Sequence, residues 1–130
     1  MYFSNEEHEE NYIYLMQKNK LIPGKTIDFE AVYYIVAYPE VYKCFEWNVY
    51  HTEFSPLGDL LFRREDGSKG YSSEPLTSAT WSLVELGQSL FNGYKVDVSS
   101  FPLYNEEIFN VMVQACKIRG GVAGDYLVYK

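Results

Sequence analysis

The strongest hint of chemistry in the sequence is a histidine followed by two acids near the N-terminus, His8-Glu9-Glu10-Asn11-Tyr12. It begins like the zinc-protease helix motif His-Glu-x-x-His, in which two histidines one turn apart bind a metal and the glutamate acts as base. Tyr12 takes the place of the second histidine, and His51 lies in an unrelated polar stretch. We therefore predict no metal and no cofactor. His8 is expected to pack at the helix start against Phe3 or Tyr12.

The other residue types used in catalysis show no arrangement that favours a reaction. Cys44 and Cys116 lie in apolar runs and belong to no C-x-x-C pair, so we expect both thiols to be reduced and buried. No glycine cluster is followed by the Gly-Lys-Ser/Thr of a phosphate loop. Paired carboxylates such as Glu6 and Glu10 share one helix face, which is typical of a solvated surface. The sequence thus predicts a protein that is not an enzyme.

The bulk composition excludes several classes of function. The 130-residue chain has a net charge of −7, which disfavours direct binding to nucleic acid or to anionic membranes, because both require Lys and Arg. We find neither a signal peptide nor an apolar run close to the roughly 20 residues that span a bilayer. A cytoplasmic protein is therefore expected. Aromatic residues make up 18% of the chain, which fits either half-buried core or a protein-binding surface.

The spacing of apolar residues predicts a mainly α-helical single domain, a bundle of four to five helices within residues 1–130. Capping residues, glycine and proline delimit helices over residues 5–18, 29–38, 39–45, 77–92 and 105–119. Ser4 and Glu7 indicate a capping box at the first helix. The helix at 77–92 is apolar on more than one side, so we expect it to be the central helix. For residues 29–38 a strand is the alternative, since β-branched and aromatic residues are abundant there.

Two segments depart from this helical pattern. Residues 46–74 are predicted to form a small irregular or β-hairpin insertion, with a turn at 55–58 and a short strand or buried segment at 60–64. Such long stretches without helix in a compact domain are often functional. Residues 121–130 are expected to be either a docked edge strand or a flexible tail.

Two surfaces are candidates for binding a protein partner. One is the acidic first turn of the first helix, which contains Glu6, Glu7, Glu9 and Glu10. The other is an aromatic set in the insertion, which contains Trp47, Tyr50, Phe54 and Tyr71. These aromatic residues suit partner binding if they are exposed, and they are core if they are buried. The sequence leaves both alternatives open.

Four short islands, in order along the chain, are FSNEEHEEN at 3–11, YIVAYPEVY at 34–42, LFNGY at 90–94 and ACKIR at 115–119. Together they resemble a family of small proteins from Firmicute bacteria and their phages, the domain of unknown function numbered 6075. The resemblance covers about residues 3–119. It implies a bacterial or phage context, in the cytoplasm and often on a mobile element, and it carries over no activity and no catalytic residues.

These features lead to three hypotheses about function. The first is a non-enzymatic binding protein of a phage or mobile element that sequesters or modulates a host protein, such as a defence or nucleic-acid-acting factor. The second is a small enzyme with an unrecognised site, and the third is a structural protein that self-associates. We favour the first, because the chain is small, acidic and rich in aromatic residues and lacks catalytic motifs.

Overall fold

A computed structural model describes residues 1–45, 55–63 and 76–122. Within these ranges the protein is a mainly helical single domain without β-strands, as the sequence predicts. The α-helices are α1 Glu6–Lys18, α2 Ile27–Val36, α3 Pro39–Tyr42, α4 Pro56–Arg63, α5 Ser78–Asn92 and α6 Glu106–Arg119. A 3-10 turn, Val98–Ser100, lies between α5 and α6. The alternative of a strand over residues 29–38 is therefore wrong.

The centre of the bundle is α2. Residues 30–39 are all buried, and α2 packs against α1, α3, α4, α5 and α6. This helix offers no polar face to water after its first turn, so it must be covered on every side. The prediction that the helix at 77–92 is central is wrong, because both ends of α5 are exposed and only its middle is buried.

A buried carboxylate joins α1 to the start of α2. Glu30 has no exposed surface, and its Oε2 accepts a hydrogen bond from the Tyr12 hydroxyl at 2.8 Å. Its Oε1 accepts a second one from the backbone N–H of Gly24 at 2.9 Å. Burying a carboxylate is costly unless its oxygens are hydrogen-bonded, and here both are. The turn between the two helices is thereby fixed on the core.

The ends of the two long C-terminal helices confirm the sequence prediction. Thr77 and Thr80 form a reciprocal capping box at the start of α5, and Gly93 ends that helix with φ of 82°. Glycine adopts this left-handed conformation without the steric cost that other residues meet. Asn105 caps α6 by accepting a hydrogen bond from the backbone N–H of Ile108 at 3.1 Å.

The start of α1 differs from the prediction. The cap is Asn5, whose side-chain oxygen accepts a hydrogen bond from the backbone N–H of His8 at 2.8 Å. The predicted capping box of Ser4 and Glu7 is therefore wrong. Ser4 lies one residue too early, and its own backbone N–H donates to the ring of His8.

The segment predicted to be an irregular or hairpin insertion contains a helix, α4. Proline is well suited to the first position of a helix, because its missing N–H has no helical partner there. Pro56 has this role, and the side chain of Ser55 accepts a hydrogen bond from the backbone N–H of Leu57 at 3.2 Å. Leu57, Leu60 and Leu61 are buried at helical spacing. The predicted turn is therefore wrong over residues 56–58. For residues 60–63 the strand alternative is wrong, and the alternative of a buried segment is confirmed at Leu60 and Leu61.

Other parts of the predicted insertion lie outside the described residues, namely 46–54 and 64–75. The same holds for residues 123–130 of the predicted tail. The hairpin and the two alternatives for the tail therefore stay predictions.

The approach of α5 to α2 and α4 depends on the absence of a side chain at Gly87. A Cβ atom placed there would collide with Cδ1 of Leu57 and lie 3.0 Å from Cδ1 of Ile35, and both residues are fully buried. We expect Gly87→Ala to lower the free energy of unfolding by about 1–3 kcal/mol through overpacking. Urea unfolding measures this change.

The control is the double variant Leu57→Ala/Gly87→Ala, in which the shorter side chain makes room for the new methyl group. Its loss of stability should be smaller than the sum of the two single losses, because the sites are in contact. At an exposed position in a helix, replacing glycine by alanine has the opposite effect and raises the free energy of unfolding by about 1 kcal/mol. Stabilisation of that size by Gly87→Ala would contradict the close packing described here.

Candidate functional site

The predicted acidic surface lies at the first turn of α1. Of the four glutamates there, one is half-buried, Glu9, and three are exposed, Glu6, Glu7 and Glu10. The structure adds two acids at the first turn of α6, Glu106 and Glu107. The carboxylate of Glu107 accepts a hydrogen bond from the Tyr38 hydroxyl at 2.5 Å. Acids at a helix start are stabilised by the helix dipole, so these charges alone indicate no ligand.

The predicted aromatic surface lies outside the described residues. This applies to each of its members, Trp47, Tyr50, Phe54 and Tyr71. His51 lies outside them as well. A role of these residues in partner binding therefore stays a prediction.

His8 is a packed core residue with no exposed surface. The ring of Phe3 meets it edge-on at 5.3 Å between centroids, as predicted, and that of Tyr34 lies at 4.7 Å. The backbone N–H of Ser4 donates to Nδ1 at 3.1 Å, so Nε2 carries the proton and donates to the carbonyl oxygen of Tyr34 at 2.9 Å. Both ring nitrogens are thus engaged within the protein, and neither is free for a metal or a substrate.

The environment of His8 favours its neutral form and fastens the N-terminal segment. Burial lowers the pKa of His8 to about 4, while the hydrogen bond to Tyr34 and the charge of Glu107 oppose this shift. The Tyr34 hydroxyl donates to the carbonyl oxygen of Tyr2 at 2.6 Å, and the N–H of Tyr2 donates to Oε1 of Gln114 at 2.8 Å. The segment before α1 is therefore tied to both α2 and α6.

The two cysteines have different environments, and both are free thiols. Cys44 is buried as predicted, and its Sγ donates to the carbonyl oxygen of Glu40 at 3.6 Å. Burial raises its pKa to about 12, so it is not a reactive thiolate. Cys116 is exposed on α6, so the prediction that both thiols are buried is wrong for this one. Neighbouring side chains nevertheless shield its sulfur enough to raise its pKa.

Two features are absent from residues 1–45, 55–63 and 76–122, a metal-binding cluster and a membrane-spanning helix. Their His, Cys, Asp and Glu side chains form no group of three or more that could hold a metal ion. Their helices include none that is long and apolar enough to cross a membrane. The feature that stands out on the described surface is instead an apolar groove.

This groove lies along the outer side of α6 and has a volume of about 410 Å³. One wall is a face of α6, on which the lining residues lie three and four positions after Phe109 and again after Val113, as one helix face requires. These residues are Phe109, Met112, Val113, Cys116 and Lys117. The other lining residues are Leu86, Val98, Phe101, Leu103 and Val122. We call this the α6 groove. Its buried floor consists of Leu86, Phe101 and Met112.

The rim of the α6 groove is apolar and unusually exposed. Val98, Leu103, Phe109 and Val122 have between 41% and 70% of their surface exposed, and the adjacent Tyr104 has 90%. Single exposed apolar residues are normal, but several around one groove mark an interaction site.

Sequence reasoning missed the α6 groove, although one signal was present. Phe109 and Val113 are apolar and four residues apart, and both lie beside the buried stripe of α6. They give α6 a second apolar face. The walls from α5 and from residues 98–103 come from distant parts of the chain, so only the fold brings them together.

Charge is distributed unevenly along the α6 groove. Lys117 is the charged residue among the described lining residues, and it shares the last turn of α6 with Arg119. The Nε of Arg119 donates to the carbonyl oxygen of Leu90 at 2.8 Å, which holds this end of α6 against α5.

Glu106 and Glu107 occupy the first turn of α6. Glu106 is one turn before Phe109 on the same helix face. Glu107 is instead turned towards Tyr38 by the hydrogen bond between them. The groove thus has a basic residue, Lys117, at one end and an acid, Glu106, beyond the other.

The chain matches no protein-family model, no curated protein and no solved structure. The resemblance of its four sequence islands to the family numbered 6075 therefore stays a prediction.

The environment of His8 predicts a loss of stability in mild acid. Its pKa is about 4 in the folded state and near 6.5 in an unfolded chain, so folding favours the neutral ring. This contribution is fully present above pH 6.5 and is lost as pH falls towards 4. It amounts to about 3 kcal/mol, because one pKa unit corresponds to about 1.4 kcal/mol.

Urea unfolding at pH 7 and at pH 4.5 tests this, with His8→Gln as the comparison. Carboxylates titrate in both proteins, so the difference between the two pH dependences of the free energy of unfolding isolates the contribution of the His8 imidazole. We expect the native protein to lose clearly more stability than His8→Gln between these pH values. Parallel losses would contradict a neutral, buried His8.

Proposed function

We propose that this protein is a non-enzymatic binding protein of a bacterial phage or mobile element, and that it holds a host protein through the α6 groove. The observation that carries the proposal is the exposed apolar rim of that groove. Each Å² of apolar surface removed from water contributes roughly 25 cal/mol, so a partner that covers the rim gains free energy. Phe109 and Leu103 are the rim side chains best suited to anchor a partner, because they are large and half exposed.

The character of the α6 groove favours a protein over a small substrate. Sites for small molecules combine an apolar pocket with several convergent polar groups that orient the ligand. Among the described lining residues of this groove, Lys117 is the polar side chain, and it lies at one end. Such a groove suits the apolar side of a protein segment, which needs few directed hydrogen bonds.

The identity of the partner as a host protein is supported by features of the whole chain. The net charge of −7 suits a partner with a basic surface, such as a defence factor that acts on nucleic acid. The resemblance to the family numbered 6075 supports a phage or mobile-element context. By holding such a factor, the protein would sequester or modulate it.

Self-association is the second candidate, because an exposed apolar rim also suits another copy of the same chain. Light scattering at tens of micromolar protein separates the two. A monomer at these concentrations excludes self-association as the function, whereas a stable dimer that is lost with Phe109→Asp would favour it over a host partner.

The proposal predicts that one rim substitution abolishes partner capture. We expect Phe109→Asp to weaken binding of the partner by roughly 30-fold, because a central aromatic anchor contributes about 2 kcal/mol or more to the binding free energy. Tyr14→Asp is the matched control, since Tyr14 is 48% exposed on α1 and does not line the groove. Affinity capture from Firmicute lysates is the measurement, after thermal unfolding has verified that both variants are folded.

The expected result is one specific protein captured by the native chain and by Tyr14→Asp, and lost with Phe109→Asp. Capture of no specific protein from several related hosts would count against a binding function. Equal capture by Phe109→Asp would show that the partner binds elsewhere.

A further inference from the structure

We infer that the α6 groove accepts one amphipathic helix of the partner, antiparallel to α6, with acidic residues in the first turn of that helix. The inference rests on the proposed function and adds the chemistry and orientation of the bound segment. Two observations carry it, the helical spacing of the groove wall and the opposite charges at its two ends.

The spacing of the wall favours a helix as occupant. From Phe109 to Lys117 the wall covers about two turns, or roughly 12 Å at 1.5 Å per residue. A helix in such a groove inserts apolar side chains at positions i, i+3 or i+4, and i+7, while its backbone is satisfied internally. An extended segment instead pairs with the edge of a sheet, and the described residues contain no strand to offer one.

The charges fix the orientation of this helix. Lys117 lines the C-terminal end of the groove, and Glu106 lies one turn before Phe109 on the same face of α6, beyond the other end. Complementary charges at the rim of an interface decide register and orientation, and like charges exclude the reverse orientation. A partner helix with acids in its first turn therefore places that turn at Lys117.

The same acids stabilise the partner helix itself. Negative side chains are favoured at the start of a helix, where the free N–H groups and the helix dipole are positive. In an antiparallel occupant, one set of carboxylates thus interacts favourably both with the start of its own helix and with the basic end of α6. A parallel occupant with acids at Lys117 would need them at its own C-terminus, where they are unfavourable.

Two fluorescein-labelled helical peptides of equal composition test this inference with the full chain. Both carry leucines at positions i, i+3, i+4 and i+7. The first has glutamates in its first turn and lysines in its last turn, and the second has these charges exchanged. Fluorescence anisotropy measures both affinities. We expect the first peptide to bind about tenfold more tightly at low salt, with a smaller difference at high salt.

Variants of this protein identify which charge is responsible. Lys117→Glu should remove or invert the preference between the peptides. Lys25→Glu is the matched control, because Lys25 is exposed between α1 and α2 and does not line the groove. Equal affinities of the native chain for the two peptides, or binding of neither peptide, would overturn the inference.

Cys116 reports whether the peptide lies in the α6 groove. It lines the groove and is exposed, whereas Cys44 is buried and serves as the internal reference. A saturating amount of the first peptide should slow alkylation of Cys116 about tenfold. Tight binding without this protection would place the peptide elsewhere and overturn the inference.

Other occupants give distinct results that also overturn it. If residues 123–130 of the same chain fill the groove, ending the chain after Val122 will speed alkylation of Cys116 without any peptide. If a second copy fills it, protection of Cys116 will rise with protein concentration together with the mass from light scattering. The lysate experiment tests the proposed function separately. If Phe109→Asp abolishes capture of the partner but neither peptide binds, the proposed function stands and only this inference fails.

Discussion

The structure depends on one constraint, that α2 has no side that tolerates water. Residues 30–39 are buried without interruption, so helices must surround α2 on every side. Each surrounding helix contributes one apolar stripe to this task, and α1, α5 and α6 contribute the longest. The N-terminal segment completes the cover, because His8 and Tyr34 bind it to the core through hydrogen bonds. The buried polar groups of His8, Tyr34 and Glu30 therefore fasten separate elements together.

The same constraint explains why α6 carries an uncovered apolar face. Its inner stripe, from Ile108 to Ile118, packs towards α2 and α5. Among the described residues, its outer face, from Phe109 to Lys117, borders Leu86 of α5, the chain between α5 and α6, and Val122, and the α6 groove lies open between them. An apolar face that contributes little to the fold carries a cost in solubility, and such faces are typical of binding surfaces. This links the architecture of the bundle to the proposed role in holding a protein.

Much of the fold could be predicted, because local signals agree with it. Thr77, Gly93 and Asn105 mark helix ends through backbone groups a few residues away, so the sequence alone is informative. The helix at Pro56 could not be predicted, since the sequence Ser-Pro-Leu-Gly at 55–58 suits a turn as well as a helix start, and the buried contacts decide between them. The α6 groove could not be predicted, because its walls are residues from four parts of the chain that only packing brings together. Of the predicted binding residues, the four glutamates of α1 lie away from this groove, and the aromatic set lies outside the described residues.

The claim that the protein acts through the outer face of α6 is tested most directly by site-specific photocrosslinking. A photoreactive phenylalanine analogue is placed at Phe109 in one preparation and at Tyr14 in another, and each is exposed to lysate of a host bacterium. We expect a single crosslinked protein from position 109 and none from position 14. Crosslinks of equal yield from both positions, or a specific crosslink from position 14 alone, would contradict the claim.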